Sequence, residues 1–193
     1  MRSRCAAPTA ATLRRVRNGA RYVFGYGSLL WRPDFPHEER VVACLRGASR
    51  RFWQGSPDHR GRPDAPGRVV TLIDEPGAEC WGAAYRIEAS RWNEIAARLD
   101  DRESGGFVRV DVQLELAGAS SGRARAVVSV ARAGNPNFLG PASLEAISTQ
   151  VRGARGKSGT NVDYVLQLAA ALRALGKADE HVFRLAESVG SGA

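Results

Sequence analysis

The chain has 193 residues, 44% of them hydrophobic and 25% charged, with a formal net charge of +8. That length fits one domain with a true core, and no apolar run approaches the roughly 18 residues of a membrane-spanning helix. Three scattered cysteines (Cys5, Cys44, Cys80) argue for a reducing compartment rather than a disulfide framework, and three scattered histidines (His37, His59, His181) fit no metal-ligand spacing.

The basic charge hints at nucleic acid, but its distribution weakens the hint. Six arginines and no acid sit in residues 1–21 (Arg2, Arg4, Arg14, Arg15, Arg17, Arg21), which leaves +2 for residues 22–193. The Ala-, Thr- and Arg-rich segment 1–21 lacks the apolar core of a secretory signal and shares composition with mitochondrial transit peptides. It reads as a disordered leader or an upstream start, and residues 22–190 read as a single domain with a cytoplasmic location.

Tyr22, Val23 and Phe24 predict a short buried strand. It runs into Gly25-Tyr26-Gly27-Ser28, where two glycines let the backbone bend and let something approach it closely. The bend is either a tight turn or a nest of N–H groups suited to a carboxylate or a developing oxyanion. Residues 32–36 are a loop, Val41 to Leu45 a strand, and Ser49 to Pro66 a long irregular loop rich in Arg, Gly and Pro. Val69 to Ile73 and Cys80 to Ile87 predict two strands separated by a turn at Asp74 to Gly77. Gly82 marks a bulge or a close approach.

Ser90 is placed to cap a helix whose apolar stripe is Trp92, Ile95, Ala96 and Leu99. Val108 to Leu116 alternates apolar and polar residues, as a strand with one wet face does. After a turn at Gly118 to Gly122, Ala124 to Ala131 pairs back as a hairpin. Three helices follow. The first carries Leu144, Ile147 and Val151. The second starts at Thr160 and Asp163 and stops at Gly176, and the third starts at Asp179. Strands first and helices last indicate an α+β fold, and the short strands suit a small barrel. The run Val151 to Ser158 nearly spells a phosphate-binding loop. It begins with Val151 where glycine is required and follows a helix instead of a strand, so it reads as a basic connection.

Several motifs come in one order: Val23 to Leu29, Arg51-Phe52-Trp53-Gln54-Gly55-Ser56, Asp58-His59-Arg60-Gly61, and Pro66 to Leu72. Arg102-Glu103-Ser104-Gly105-Gly106-Phe107, Asn135 to Pro141, Gly159 to Tyr164 and Asp179 to Phe183 continue the series. This series resembles the γ-glutamylcyclotransferase superfamily, and its ChaC branch in particular. The resemblance covers about residues 22–190. The family usually starts near the Tyr22 strand, so the leader is a departure.

The resemblance implies a compact mixed β-barrel flanked by helices. It implies cyclisation of the γ-glutamyl group of glutathione to 5-oxoproline with release of Cys-Gly, using no metal and no cofactor. Glu103 occupies the catalytic position, as general acid and base, where a residue-level reading sees a solvated helix-end charge. Phe107 stands where the family usually has tyrosine. Val23, Phe24, Gly25, Tyr26, Gly27 and Ser28 would bind substrate, with Leu29, Glu94, Arg51 and Tyr164 as further candidates. Arg50, Arg51 and Arg60, in the long loop, either meet the Cys-Gly carboxylate or lie on the surface. A non-catalytic γ-glutamyl-binding relative would keep the Tyr26 loop but lack the acid, and the presence of Glu103 argues against it. Two other readings compete. One is a cyclotransferase for other γ-glutamyl amides. The other is a nucleic-acid module using the leader with Arg50, Arg51, Phe52 and Trp53.

Overall fold

The structure, a computed structural model, describes residues 22–102, 105–118 and 122–191. The leader 1–21, the Glu103-Ser104 step and the tip of the 118–122 turn lie outside the described residues.

Five strands close into a barrel: β1 (Tyr22–Gly25), β2 (Glu39–Ser56), β3 (Gly67–Arg86), β4 (Phe107–Leu116) and β5 (Gly122–Ala131). Their order around the barrel is β1-β3-β2-β4-β5. Neighbours run antiparallel except at the closure, where β1 pairs β5 in parallel through Tyr22–Ala126 and Val23–Val127. The mixed barrel expected from the resemblance is present. Strand alternation turns Val110, Leu114, Val128 and Val130 into the core. Val108, beside the barrel's open end, stays 49% exposed.

The expected loop over Ser49 to Pro66 is corrected by the structure. Strand β2 continues to Ser56, pairing with β3 as far as Ser56–Gly67. Arg50, Phe52 and Gln54 alternate inward along it and are all fully buried. Cross-strand pairing overrides the loop-like composition. The two strands expected at 69–73 and 80–87 are one strand, β3. The turn between them survives as a bulge, since the ladder steps from Arg46–Glu79 to Ala48–Asp74.

Among the described residues, four helices cover the barrel: α1 (Trp92–Arg102), α2 (Leu144–Gly153), α3 (Asn161–Ala174) and α4 (Glu180–Gly190). Three start on the expected kind of side-chain cap. Ser143 and Asp179 accept from Ala146 and Val182 N–H groups, and Thr160 forms a reciprocal capping box with Asp163. Ser90 does not cap α1. It lies inside a short 3-10 turn, Ala89–Arg91, and donates its hydroxyl to Glu88. The stretch once suggestive of a phosphate loop is a tiny hairpin, β6 (Arg155–Gly156) with β7 (Gly159–Thr160), and α3 begins only after it. No helix among the described residues is long and apolar enough to cross a membrane.

Candidate active site

The bend after β1 is where the chain is most heavily tied down. Gly25 permits it: a Cβ there would lie 2.8 Å from the Leu29 Cβ and 3.1 Å from the Tyr85 ring. Gly82 is the matching close approach on β3, because a Cβ there would collide with the Gly25 carbonyl. Beyond Gly25 each carbonyl from Tyr26 to Leu30 is held. The buried Arg50 guanidinium donates to Tyr26 O at 2.6 Å. Leu30 N–H donates to Gly27 O, and the Trp31 and Arg32 N–H groups donate to Ser28 O. Tyr85 Oη donates to Leu29 O at 2.5 Å, and Arg40 to Leu30 O at 3.3 Å.

This anchoring orients the other half of each peptide. A trans peptide points its N–H opposite to its C=O. Fixing the Tyr26 carbonyl on Arg50 therefore turns the Gly27 N–H away from Arg50. The first N–H groups of a helical turn also have no partner within it. A 3-10 turn, Ser28–Leu30, begins at this point. The backbone from Gly27 to Leu29 thus presents donors on the side opposite its anchors.

Gly27, Ser28 and Leu29 line a cavity of about 640 Å³. One wall is the bend itself, with Val23, Phe24, Tyr26, Gly27, Ser28 and Leu29. The facing wall is the connection after β2, Pro57 to Arg60, joined by Ser158 of the small hairpin. That connection is fixed by backbone bonds, Lys157 N–H to Asp58 O at 2.9 Å and Ser158 N–H to His59 O at 3.0 Å. Tyr164 stands between the walls. Its hydroxyl would be 3.1 Å from a Cβ on Gly27, and the Arg60 guanidinium lies 5.4 Å from its ring centroid.

Charge in the cavity is mostly positive. Arg32, Arg60, Arg98 and Arg102 line it against Asp34 and Asp58. Burial holds the His59 imidazole below its ordinary range. Lys157, Arg102 and Arg60 push the same way, against the pull of Asp58. His59 is therefore neutral near pH 7, with Nδ1 sharing a hydrogen bond with Ser158 Oγ at 2.8 Å.

Glu103 lies outside the described residues, but the chain enters and leaves the Glu103-Ser104 step at the cavity wall. Arg102, ending α1, donates to Ser28 Oγ at 2.8 Å and to Asp34 at 2.8 Å. Gly105 lines the cavity, and its carbonyl accepts from Gln54 Nε2 and Asn137 Nδ2, each at 3.0 Å. Gly106, at φ +98°, has room for no Cβ, because Asn135 would be 2.8 Å away. Phe107 also faces the cavity.

The structure thus brings Val23, Phe24, Tyr26, Gly27, Ser28, Leu29, Arg60 and Tyr164 to one cavity. Gly25 sits beneath it as a packing point. Arg51 and Glu94 do not line it. Strand alternation turns Arg51 to the opposite face from Arg50, where it pairs with Glu75 at 2.6 Å. Glu94 is in the first turn of α1, about 12 Å along the helix from Arg102, and meets Arg91 and Arg98. Arg50 is neither a surface group nor a loop residue. It is 1% exposed and holds Tyr26 O, Trp81 O and Asp179 together. Sequence reading missed Arg50 and Tyr85 as anchors, and Gln54 with Asn137 as supports. The one available signal was the i, i+2, i+4 spacing of Arg50, Phe52 and Gln54.

Comparison with known proteins bears on this geometry. A family model described as ChaC-like protein matches residues 21–192. The human glutathione-specific gamma-glutamylcyclotransferase 1 is 41% identical over 176 residues, covering 89% of this chain and 79% of the relative. The glutathione-specific gamma-glutamylcyclotransferase of Schizosaccharomyces pombe is 36% identical, covering 89% of this chain and 93% of its own length. Among solved structures, a yeast gamma-glutamyl cyclotransferase specific to glutathione superposes with a TM-score of 0.83 at 26% identity, covering 88% of this chain and 95% of that one. The anchored bend, the barrel that carries it and this match over nearly the whole described chain agree: the chain belongs to the ChaC-like protein family.

Proposed function

We infer that this chain cyclises the γ-glutamyl group of glutathione to 5-oxoproline and releases Cys-Gly. The observation that carries the reading is the cavity in which the anchored Tyr26–Leu30 backbone and both described flanks of Glu103 meet. The names of the most similar relatives support the same substrate.

The reaction needs no external nucleophile. The substrate's α-amine attacks its own γ-carbonyl carbon, so the reacting atoms arrive already linked. Glu103 takes a proton from the α-ammonium, and a C–N bond forms to close a five-membered ring. The γ-carbonyl oxygen becomes an oxyanion, which the N–H groups of the Gly27–Leu29 backbone suit. The ring nitrogen, cationic after the attack, gives up its second surplus proton, the oxyanion collapses, and the bond to the cysteinyl nitrogen breaks. Glu103 relays the two protons in turn to that nitrogen, which leaves as the ammonium of Cys-Gly. The cavity-lining arginines favour a substrate with two carboxylates and one ammonium. Leu29, Tyr164 and the Gly25 packing point shape the γ-glutamyl pocket. In the same reading, residues 22–190 form the catalytic unit, the leader is dispensable, and the enzyme works in a reducing cytoplasm, with Cys44 and Cys80 as free buried thiols.

The test is incubation with reduced glutathione, followed by mass spectrometry for 5-oxoproline and Cys-Gly. Both products in equal amounts are expected, with far slower turnover of γ-Glu-Ala. Comparable rates on the two substrates would assign the chain to γ-glutamyl amides in general.

A further inference from the structure

Among the described residues, three of the four arginines lining the cavity are already paired with carboxylates. Arg32 meets Asp34 at 3.2 Å, Arg98 meets Glu94 at 3.7 Å, and Arg102 meets Asp34 at 2.8 Å. Arg60 is different. Its guanidinium donates to the Thr160 carbonyl at 3.1 Å and lies against the Tyr164 ring, and no described carboxylate forms an ion pair with it. Asp163 acts on it only at longer range, while burial works against its charge. A guanidinium carries five N–H donors in a planar fork, and one carbonyl engages few of them. A half-buried arginine without a carboxylate, in a cavity, is built to receive one.

Its position gives the length of the ligand. Tyr164 reaches from the Gly27 bend, at its hydroxyl, to Arg60, at its ring. The bend and the guanidinium therefore flank the same tyrosine side chain, within reach of one short peptide. That is the scale of the roughly 7 Å covered by two extended residues.

We propose that Arg60 binds the distal carboxylate of the leaving dipeptide, so that the Asp58–Arg60 wall measures the substrate's length and selects a γ-glutamyl tripeptide. This rests on the reaction assigned above. With the γ-glutamyl group on the Gly27–Leu29 backbone, the glycyl carboxylate of glutathione reaches Arg60. The carboxylate of a γ-glutamyl amino acid falls about one residue, roughly 3.5 Å, short.

The experiment crosses two enzymes with two substrates: parent and Arg60→Gln, each with reduced glutathione and with its glycyl ethyl ester, which lacks the distal charge. For the parent, kcat/KM on the ester should fall roughly 10–100-fold below glutathione, as expected for a lost charged hydrogen bond. In Arg60→Gln, glutathione should fall to the level of the ester, and the ester should be unchanged within about twofold. The loss should appear in KM, with kcat nearly intact, and Arg60→Lys should recover part of it. Equal losses on both substrates would mean that Arg60 only supports the wall, and would overturn the proposal. So would a parent enzyme indifferent to the ester. Calorimetric binding of both compounds to Glu103→Gln reads the same contrast without turnover. A preserved affinity contrast with no 5-oxoproline from the parent would fault the reaction and leave the subsite standing. Turnover without the contrast would do the reverse.

Discussion

The two walls of the cavity are fastened by different means. The Tyr26–Leu30 bend hangs chiefly on three side chains, Arg50, Tyr85 and Arg40, with its own backbone holding the Gly27 and Ser28 carbonyls. The Pro57–Arg60 wall hangs first on backbone pairs to the β6–β7 hairpin and on close backbone contact, with side-chain bonds from Asp58, His59 and Arg60 added to them. Gly156 shows the second mode, since a Cβ there would lie 2.5 Å from His59 backbone atoms. Side-chain anchors fix orientation at a few points, which suits a wall that must aim N–H donors. Backbone packing fixes a surface as a whole, which suits a wall that only has to stand at a set distance.

The strongest way to break this comparison is to remove the group proposed to act between the walls. Glu103→Gln should lower kcat by about 10³–10⁴-fold, the upper part of the range for a general acid-base group. The dissociation constant for glutathione should barely move, because both walls remain. Glu115→Gln, on the outer face of β4 and paired with Arg46, is the control and should do little. Parent-like turnover by Glu103→Gln would place the base elsewhere.

Removing a side-chain anchor comes next. Arg50→Met leaves Asp179 and two buried carbonyls without their partner, a loss of about 3–5 kcal/mol. Urea denaturation should show a lower midpoint, and kcat should fall as the Tyr26 carbonyl is released. An Arg50→Met enzyme as stable and as fast as the parent would show that the bend holds itself.

The second wall should respond more gently and in a different parameter. Gly156→Ala overpacks the hairpin against Asp58 and His59, at a cost of about 1–3 kcal/mol. Here KM for glutathione should rise while kcat stays near the parent value. A kcat effect equal to that of Arg50→Met would erase the distinction between the walls.

How much of this was legible in the chain follows from where each determinant lies. The bend showed itself because two glycines around Tyr26 are a local signal. Helices α2, α3 and α4 were legible because their caps lie within a few residues of the helices they start. The course of β2 was not, because its Arg-, Gly- and Ser-rich second half becomes a strand only by pairing with β3. Arg50 and Arg51 are adjacent and chemically alike. Which of them is buried depends on the strand face, and a register shift between Arg51 and Gln54 obscures that phase. The role proposed for Glu103 rests on its motif and on the placement of Arg102 and Gly105 at the cavity.

The smallest expected effect is a dependence on pH where α4 meets β2. His181 Nε2 accepts the Phe52 N–H at 3.2 Å, and burial pulls its imidazole below the ordinary range, with Arg51, Arg184 and Arg50 adding to the shift against Asp179. The folded state therefore binds a proton less readily than the unfolded chain does. This contribution is complete above the unfolded value of about 6.5 and is lost as pH falls through the lower folded value. Thermal melts from pH 7.5 down to 5 should show Tm declining. His181→Gln, which keeps an acceptor for Phe52 but does not titrate, should flatten that decline. An unchanged slope would assign the acid sensitivity to other groups.

The way the barrel closes has a consequence for how the protein is made. Strand β1 is four residues long and is made before its partners: it pairs with Ala83 to Arg86 in β3 and, in parallel, with Ala126 and Val127 in β5. The Tyr26 hydroxyl likewise donates to Ser129 O, 103 residues further on. At typical elongation rates of about 5–20 residues per second, the apolar Tyr22-Val23-Phe24 segment waits several seconds for its last neighbour to leave the ribosome. Pairing at such sequence distance is also slow to search for. The bend that forms one cavity wall is therefore made well before the strand that fixes it, so a nascent chain lacks this cavity until the barrel has closed.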